Sequence, residues 1–290
     1  MRLCRHEGRV AELENLLIMA IYGSNYIESA GNNYDITAQL CKAVFRDESP
    51  DPEITLTVQN LSEYYPQVRY LRRENRPSDH ESVVKSRREI IQHAKAFAAV
   101  IRFIMDGNEW TEDAILQTHE ILHDGLDDDV LAGTYRHYEV AVKYEEPGQR
   151  REKASICLRA RAVPAYMRDM VGRLNKMGAE MASDMPPFDR VGFAVRFHHQ
   201  FVNIHPFGDG NGRMARIITN ALLLTYAGRI LPIGMTSYER RAYLMLCAEA
   251  SRIFREEDME VDFAEQTGHL HLAEAVGIWS RQAPLPAGYH

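Results

Sequence analysis

The chain has 290 residues, 45% hydrophobic and 26% charged, a balance that fits an ordinary soluble globular protein with length for one large domain or a domain plus an appended segment. A net charge of −7 argues against a general nucleic-acid binder. The apolar run Leu16 to Tyr22 is too short to span a bilayer, and Glu7, Glu12 and Glu14 before it are unlike a signal peptide. Neither nucleic acid nor membrane is therefore expected as a partner, and the expected compartment is intracellular, cytoplasmic by default. Cys4, Cys41, Cys157 and Cys247 lie far apart without metal-like spacing, which points to free thiols.

Val10, Leu13, Leu16, Leu17 and Ala20 follow helical spacing, so a helix is expected to Tyr22, with Gly23 interrupting it. Ser24 is then expected to cap a short second helix carrying Glu28, closed by Gly31-Asn32-Asn33. A helix is expected over 35–45 and a loop over 48–52. Residues 53–80 give no clear pattern, and Pro66, Pro77 and the polar run 72–80 suggest an exposed connection. A long helix over 82–105 carries Val83, Ile90, Ile91, Ala94, Phe97 and Ile101 on one apolar stripe, and Thr111 caps the next, to about His123. Asp127-Asp128-Asp129 marks a loop. Residues 134–144 turn β-rich, and Glu145-Glu146-Pro147-Gly148 is a turn signal from which 154–158 can return as a second strand. Helices are expected again over 164–181, 189–204, 211–227 and in a last set over 237–271, with a frayed tail over 283–290.

The stretch that carries chemistry is His205-Pro206-Phe207-Gly208-Asp209-Gly210-Asn211-Gly212-Arg213-Met214-Ala215-Arg216. Its three glycines make a tight turn with bare backbone amides at a helix start, where unsatisfied N–H groups and the positive dipole end attract anions. A neutral imidazole at His205 suits a general base near neutral pH. Asp209 is a hard oxygen ligand suited to a Mg²⁺ that bridges nucleotide phosphates. The side chain of Asn211 and the N–H groups from Gly210 through Gly212 to Arg213 suit a phosphate oxygen. Arg213 and Arg216 share a helix face and can fork onto phosphates. A capped, solvated loop is the simpler account, but it leaves unexplained why every polar group suits one reaction.

Competing motifs fit less well. The P-loop lysine is absent, a dinucleotide fingerprint would need a preceding strand, and an EF-hand from Asp209 lacks its sixth-position Gly and final Glu. The stronger competitor is His119-Glu120-Ile121-Leu122-His123, a literal H-E-x-x-H on an expected helix, which makes a zinc metallopeptidase the alternative function. It needs a third ligand, for which Glu145 or Glu146 in a turn is the nearest offer. His119 and His123 are expected to be helix-surface or half-buried residues instead, and adjacent His198 and His199 to be structural.

Residues 205–216 match the H-x-F-x-[D/E]-G-N-G-R-x-x-R motif of the Fic family position for position, and the chain resembles that family over about 82–250. The resemblance implies an all-α fold: a Fic-type helical core over 82–250 with a small β-hairpin flap over 134–160. An inhibitory segment over 1–34, an extension over 35–81 and C-terminal helices and a tail over 251–290 would flank it. It implies a protein adenylyltransferase that moves AMP from ATP, with Mg²⁺, to a Ser, Thr or Tyr hydroxyl of a protein. Self-modification, removal of AMP and a homodimer are all compatible with it. His205 would be the base and Asp209 the metal ligand. Gly210, Asn211, Gly212, Arg213 and Arg216 would hold phosphates. Tyr243 resembles a nucleobase-contacting Tyr, although Ala250 stands where an Asn sometimes follows. Val140, Ala141, Val142 and Lys143 would form the target-docking edge of the flap, which Leu131-Ala132-Gly133-Thr134-Tyr135-Arg136 precedes. Ser24 and Glu28 resemble the inhibitory motif [S/T]-x-x-x-E-[G/N], with Ser29 departing from its last position.

Overall fold

The computed structural model describes residues 2–126, 131–145, 152–181, 187–258 and 260–282, the side chains at 2–9, 143–145, 152–156, 187–189 and 280–282 excepted. The expectations for 127–129, 146–148 and 283–290 lie outside these residues. Helices α1 (Arg2–Ile27), α2 (Tyr34–Phe45), α3 (Leu61–Arg73), α4 (His80–Met105) and α5 (Glu112–His123) come first. An antiparallel hairpin follows, β1 (Ala141–Glu145) with β2 (Glu152–Ile156). After it come α6 (Val163–Met181), α7 (Pro187–Ile204), α8 (Asn211–Ala227), α9 (Ser237–Glu257) and α10 (Leu270–Gln282). The fold is all-α with one small flap. Among the described residues no helix is long and apolar enough to cross a membrane.

The helix that organises the packing is α8. Met214, Ala215, Ile217, Ile218, Ala221, Leu222 and Leu223 go right round it and are buried, the mark of a helix enclosed on all sides. It packs on α7, α4 and α1. One buried apolar cluster runs from Leu16 of α1 to Val276 of α10. Because α8 begins at Asn211, that core fixes the end of the helix where the motif loop lies.

Two local expectations change. First, α1 runs unbroken through Gly23 and Ser24, so Ser24 caps no helix. Gly23 is there for packing: a methyl at that position would lie 2.2 Å from the Ile233 carbonyl oxygen. Gly234 meets α1 from the other side, where a Cβ would stand 2.8 Å from the Gly23 carbonyl oxygen. This crossing of two glycines brings the end of α1 against the segment that follows α8. Second, residues 61–73 form α3 with Pro66 inside it. Proline removes one helical donor but does not end this helix, whose Val68, Tyr70 and Leu71 pack into a satellite core with Ile54 and Val83.

Candidate active site

His205 closes α7 in a left-handed conformation, φ +51°. Its Nδ1 lies 3.3 Å from the Val202 carbonyl oxygen, which can only accept, so Nδ1 carries the proton and Nε2 keeps its lone pair. Burial is the main cause that holds the imidazole below its usual pKa, and the nearby Arg136 adds to it against the Val202 bond, Glu28 and Asp209. His205 is thus neutral at pH 7, as a base requires.

The loop after it is built around its own side chains. Phe207 N–H donates to Asn211 Oδ1 and Asn211 Nδ2 donates to the Phe207 carbonyl, both at 2.9 Å. Asn211 is buried, so its amide clamps the loop rather than standing open to a phosphate as the sequence suggested. Gly210 sits at φ +75° as the N-cap of α8, with no side-chain cap. The first N–H groups of α8 therefore lack side-chain partners from the cap and face the loop's concave side. A Cβ on Gly212 would lie 2.1 Å from Glu28 Oε1, which puts that carboxylate on the helix end.

The two arginines differ sharply. Arg216 is buried and fully dressed by the chain: Nε donates to Ser24 Oγ at 2.8 Å, Nη2 to the Ser24 carbonyl at 3.1 Å and to Glu28 Oε1 at 2.5 Å, and Nη1 to Tyr243 Oη at 3.3 Å. Arg213 Nη2 donates to Asp209 Oδ2 at 3.1 Å, while its buried Nε and Nη1 have no partner among the described residues. Burial pushes the Asp209 carboxyl up, but the Arg213 guanidinium, the Gly210 N–H bond and the nearby His123 and His119 together outweigh it, and the net shift is downward. Its side chain remains 58% exposed.

Tyr243 lies beneath Arg216, buried, with its hydroxyl also 2.9 Å from His198 Nε2. It backs the guanidinium, whose carbon lies 5.5 Å from the centre of its ring. His198 passes the chain of bonds on to Thr219 Oγ1. Glu28 follows the last turn of α1, and several groups hold that end in place. Asn25 Oδ1 takes a bond from His93 Nδ1 at 2.8 Å, Gly31 N–H donates to Glu89 at 2.6 Å, and Arg240 Nε donates to the Ile27 carbonyl at 3.0 Å. Ser29 adopts φ +54°, a conformation that glycine or asparagine takes more easily.

His119 and His123 are both buried, not on the surface. His119 Nδ1 accepts from Gly133 N–H at 3.0 Å and Nε2 lies 3.1 Å from the Asp209 carbonyl oxygen, so both ring nitrogens are engaged. Its ring stacks on Phe207 at 3.7 Å and on His123 at 4.5 Å. Glu120 is exposed, and among the described residues no three His, Cys, Asp or Glu side chains converge on a metal position. Among the described residues the zinc reading finds no third ligand, and Glu145 and Glu146 lie outside the described side chains. Sequence reasoning missed that these histidines hold the motif loop, although their place on one helix face was visible.

At the hairpin, Ala141 pairs with Ile156, Val142 with Ser155 and Lys143 with Ala154, and Cys157 N–H donates to the Val140 carbonyl. The side chains of Ala141 and Val142 are exposed. Among the described residues the two strands pair only with each other, which leaves the far edge of β1 without a neighbouring strand there. Residues 134–140, expected to be strand, are irregular and carry Arg136, whose role the sequence did not signal.

Comparison with known proteins agrees with this geometry. Residues 109–223 match the model of the Fic/DOC family. A protein named protein adenylyltransferase Fic from Nematostella vectensis is 38% identical over 63 residues, 21% of this chain and 15% of that protein. The chain thus matches a small share of the length of such relatives. Among solved structures, a Fic domain containing signaling protein from Bacteroides thetaiotaomicron superposes with a TM-score of 0.66 at 18% identity, covering 93% of this chain and 86% of that one. A Fic family protein from Desulfovibrio desulfuricans gives 0.53 at 20% identity, covering 97% and 66%. These two likenesses speak for the fold.

Proposed function

We propose, from the match of residues 109–223 to the Fic/DOC family model and from the site geometry, that the chain is an autoinhibited protein adenylyltransferase of that kind. It moves AMP from ATP to a Ser, Thr or Tyr hydroxyl of a protein, itself included, and Glu28 holds the activity down. The observation that carries this reading is the 2.5 Å pair between Glu28 and the buried Arg216, set on the end of α8 that otherwise gathers positive potential. An acid placed on the guanidinium best suited to an outer phosphate competes with that phosphate by charge and by position.

The reaction follows from the groups described. The target hydroxyl oxygen attacks the α-phosphorus of ATP while His205 Nε2 takes its proton. The bond from that phosphorus to the bridging oxygen breaks, and pyrophosphate leaves. The first N–H groups of α8, shaped by the Asn211 clamp, face the α-phosphate, and Arg213 offers its unpartnered nitrogens to the outer phosphates. Asp209 suits Mg²⁺: it is an exposed carboxylate kept ionised by Arg213, and a single protein oxygen plus phosphates and waters is a common Mg²⁺ shell. Mg²⁺ there would neutralise charge on the β- and γ-phosphates. The open β1 edge suits an extended target segment, which gains backbone bonds at Val140 to Lys143. The same carboxylate, set over Gly212 at the start of α8, suits orienting a water for removal of AMP.

Intact-mass analysis of the chain and of Glu28→Gly, each incubated with ATP and Mg²⁺ and with acceptor proteins, tests the reading. Covalent AMP on a hydroxyl is expected, more of it with the variant. Nucleotide binding without any transfer by the variant refutes it.

A further inference from the structure

Arg136 precedes the hairpin and is buried, and among the described residues every hydrogen bond of its guanidinium goes to a backbone carbonyl. A guanidinium placed this way needs carbonyl oxygens around it. Arg136 finds them on separate segments. Its Nε donates to the His205 carbonyl at 2.7 Å and its Nη1 to that of Tyr138 at 2.9 Å. Its Nη2 donates to the carbonyl of Leu158 and, more weakly, to that of Ile204 at 3.4 Å. Its own backbone N–H donates to the Pro206 carbonyl at 2.9 Å. Tyr138 lies just before β1 and Leu158 just after β2, so both stems of the flap hang on one side chain. That same side chain grips the backbone of the residue that carries the imidazole.

His205 needs such a grip. A left-handed conformation costs a non-glycine residue about 1–2 kcal/mol, and a following proline favours an extended backbone instead. The conformation persists only where neighbours impose it. Arg136 orients the peptide after His205 and the one after Pro206.

We infer that Arg136 is a positioning residue that holds the flap edge, and with it the hydroxyl of a docked target, in register with the His205 imidazole. The inference rests on the transferase reading above. It assigns Arg136 to target alignment and not to nucleotide binding, because none of its bonds reaches Arg213, Arg216 or Asn211. Acceptors spread over three segments call for a planar fork, and a lysine ammonium reaches too few of them.

The test uses the Glu28→Gly chain as background, with ATP, Mg²⁺ and two acceptors: the chain itself and an extended peptide containing Ser, Thr and Tyr. Arg136→Lys should lower kcat on the order of 10²-fold, the cost of about 1 Å of misalignment. Its Kd for ATP should stay within about threefold by calorimetry. Methylguanidinium should restore part of the activity of Arg136→Ala. Inserting one glycine between Glu139 and Val140 slackens the stem with Arg136 intact, and should reproduce the kcat loss even if the Arg136 variants do not fold. An unchanged kcat in the insertion variant, or an ATP affinity that falls in step with kcat, overturns the inference. Hydrogen exchange at the Cys157 amide keeps the two ideas apart, since it should rise in Arg136→Lys whether or not AMP is ever transferred. If Glu28→Gly alone modifies neither acceptor, the transferase reading fails while the exchange result still judges the coupling of flap to loop.

Discussion

Glu28→Gly is the perturbation whose size can be worked out from the contacts. The residue follows Ile27, the last residue of α1, so glycine there breaks no helix. What is lost is one charge-assisted bond to Arg216 Nη2 at 2.5 Å. Such bonds contribute about 1.5–3 kcal/mol. The Glu28 side chain is 37% exposed, and solvent screening favours the lower end, about 1.5–2 kcal/mol. Arg216 keeps its bonds to Ser24 and Tyr243, so the guanidinium stays aimed and Nη2 becomes available to a γ-phosphate. Removing the competition alone converts to about a 10–30-fold rise in transfer. Realigning the α-phosphate for in-line attack can add on the order of 10²-fold. The assay is AMP incorporation by intact mass against time, for wild type, Glu28→Gly, and Glu28→Gly with His205→Ala, which should be silent. Removal of AMP from a premodified acceptor is measured beside it. A variant that transfers no faster than wild type and removes AMP no slower refutes the regulatory role of Glu28.

Three further outcomes follow from the geometry. His205→Ala should lower transfer by about 10²–10⁴-fold with ATP binding kept, and transfer within a few-fold of the parent would remove His205 from the role of base. Ala141→Pro takes one donor from β1 and should impair target modification more than ATP binding, so an equal loss of both, with the fold intact, counts against strand docking. Acid should destabilise the chain: burial first of all holds His119, His198 and His199 at about 3 and His93 well below its usual value. These rings are neutral when folded but take a proton near ~6.5 when unfolded, so the unfolded state binds more protons below that pH and stability falls as pH drops. Each ring held at about 3 costs about 1.4 kcal/mol near pH 5.5, about 4 kcal/mol for the three, or roughly ten degrees of Tm. A Tm that stays flat from about pH 7.5 to 5.5 contradicts that accounting.

The sequence was legible where the chemistry is local. The His205 to Arg216 loop, its helix start at Asn211 and the cap at Thr111 all depend on residues within a few positions, and the structure has the helices there. It was illegible where a residue answers to a distant partner. Gly23 reads as a helix breaker until the Ile233 carbonyl is seen against it, and Ser24 reads as a cap until Arg216 is found on its hydroxyl. Asn211 and Tyr243 have side chains that suit a nucleotide by type, but burial turns them toward Phe207 and Arg216. Arg136 lies in the Leu131 to Arg136 run that the resemblance marks, but its own role is not legible there, because its partners are backbone carbonyls and any residue supplies those.

The unequal dressing of the two arginines bears on how the proposed inhibition would work. Every bond that Arg216 makes to a side chain comes from Ser24 and Glu28 of the N-terminal segment or Tyr243 of α9, so under the proposed function that segment would compete with nucleotide for this one guanidinium. Arg213 answers to the motif loop, through Asp209, and keeps two buried nitrogens without a protein partner among the described residues. Unpaired donors of a buried cation are costly and are offset best by an anion. With the N-terminus of α8 beside it, Arg213 can hold phosphates whether or not Glu28 is in place. Nucleotide then enters the inhibited site by one arginine and lacks the second for alignment. A block of this kind acts on the approach to the transition state more than on ground-state binding, so the Glu28→Gly gain belongs in kcat and leaves the Kd for ATP much less changed.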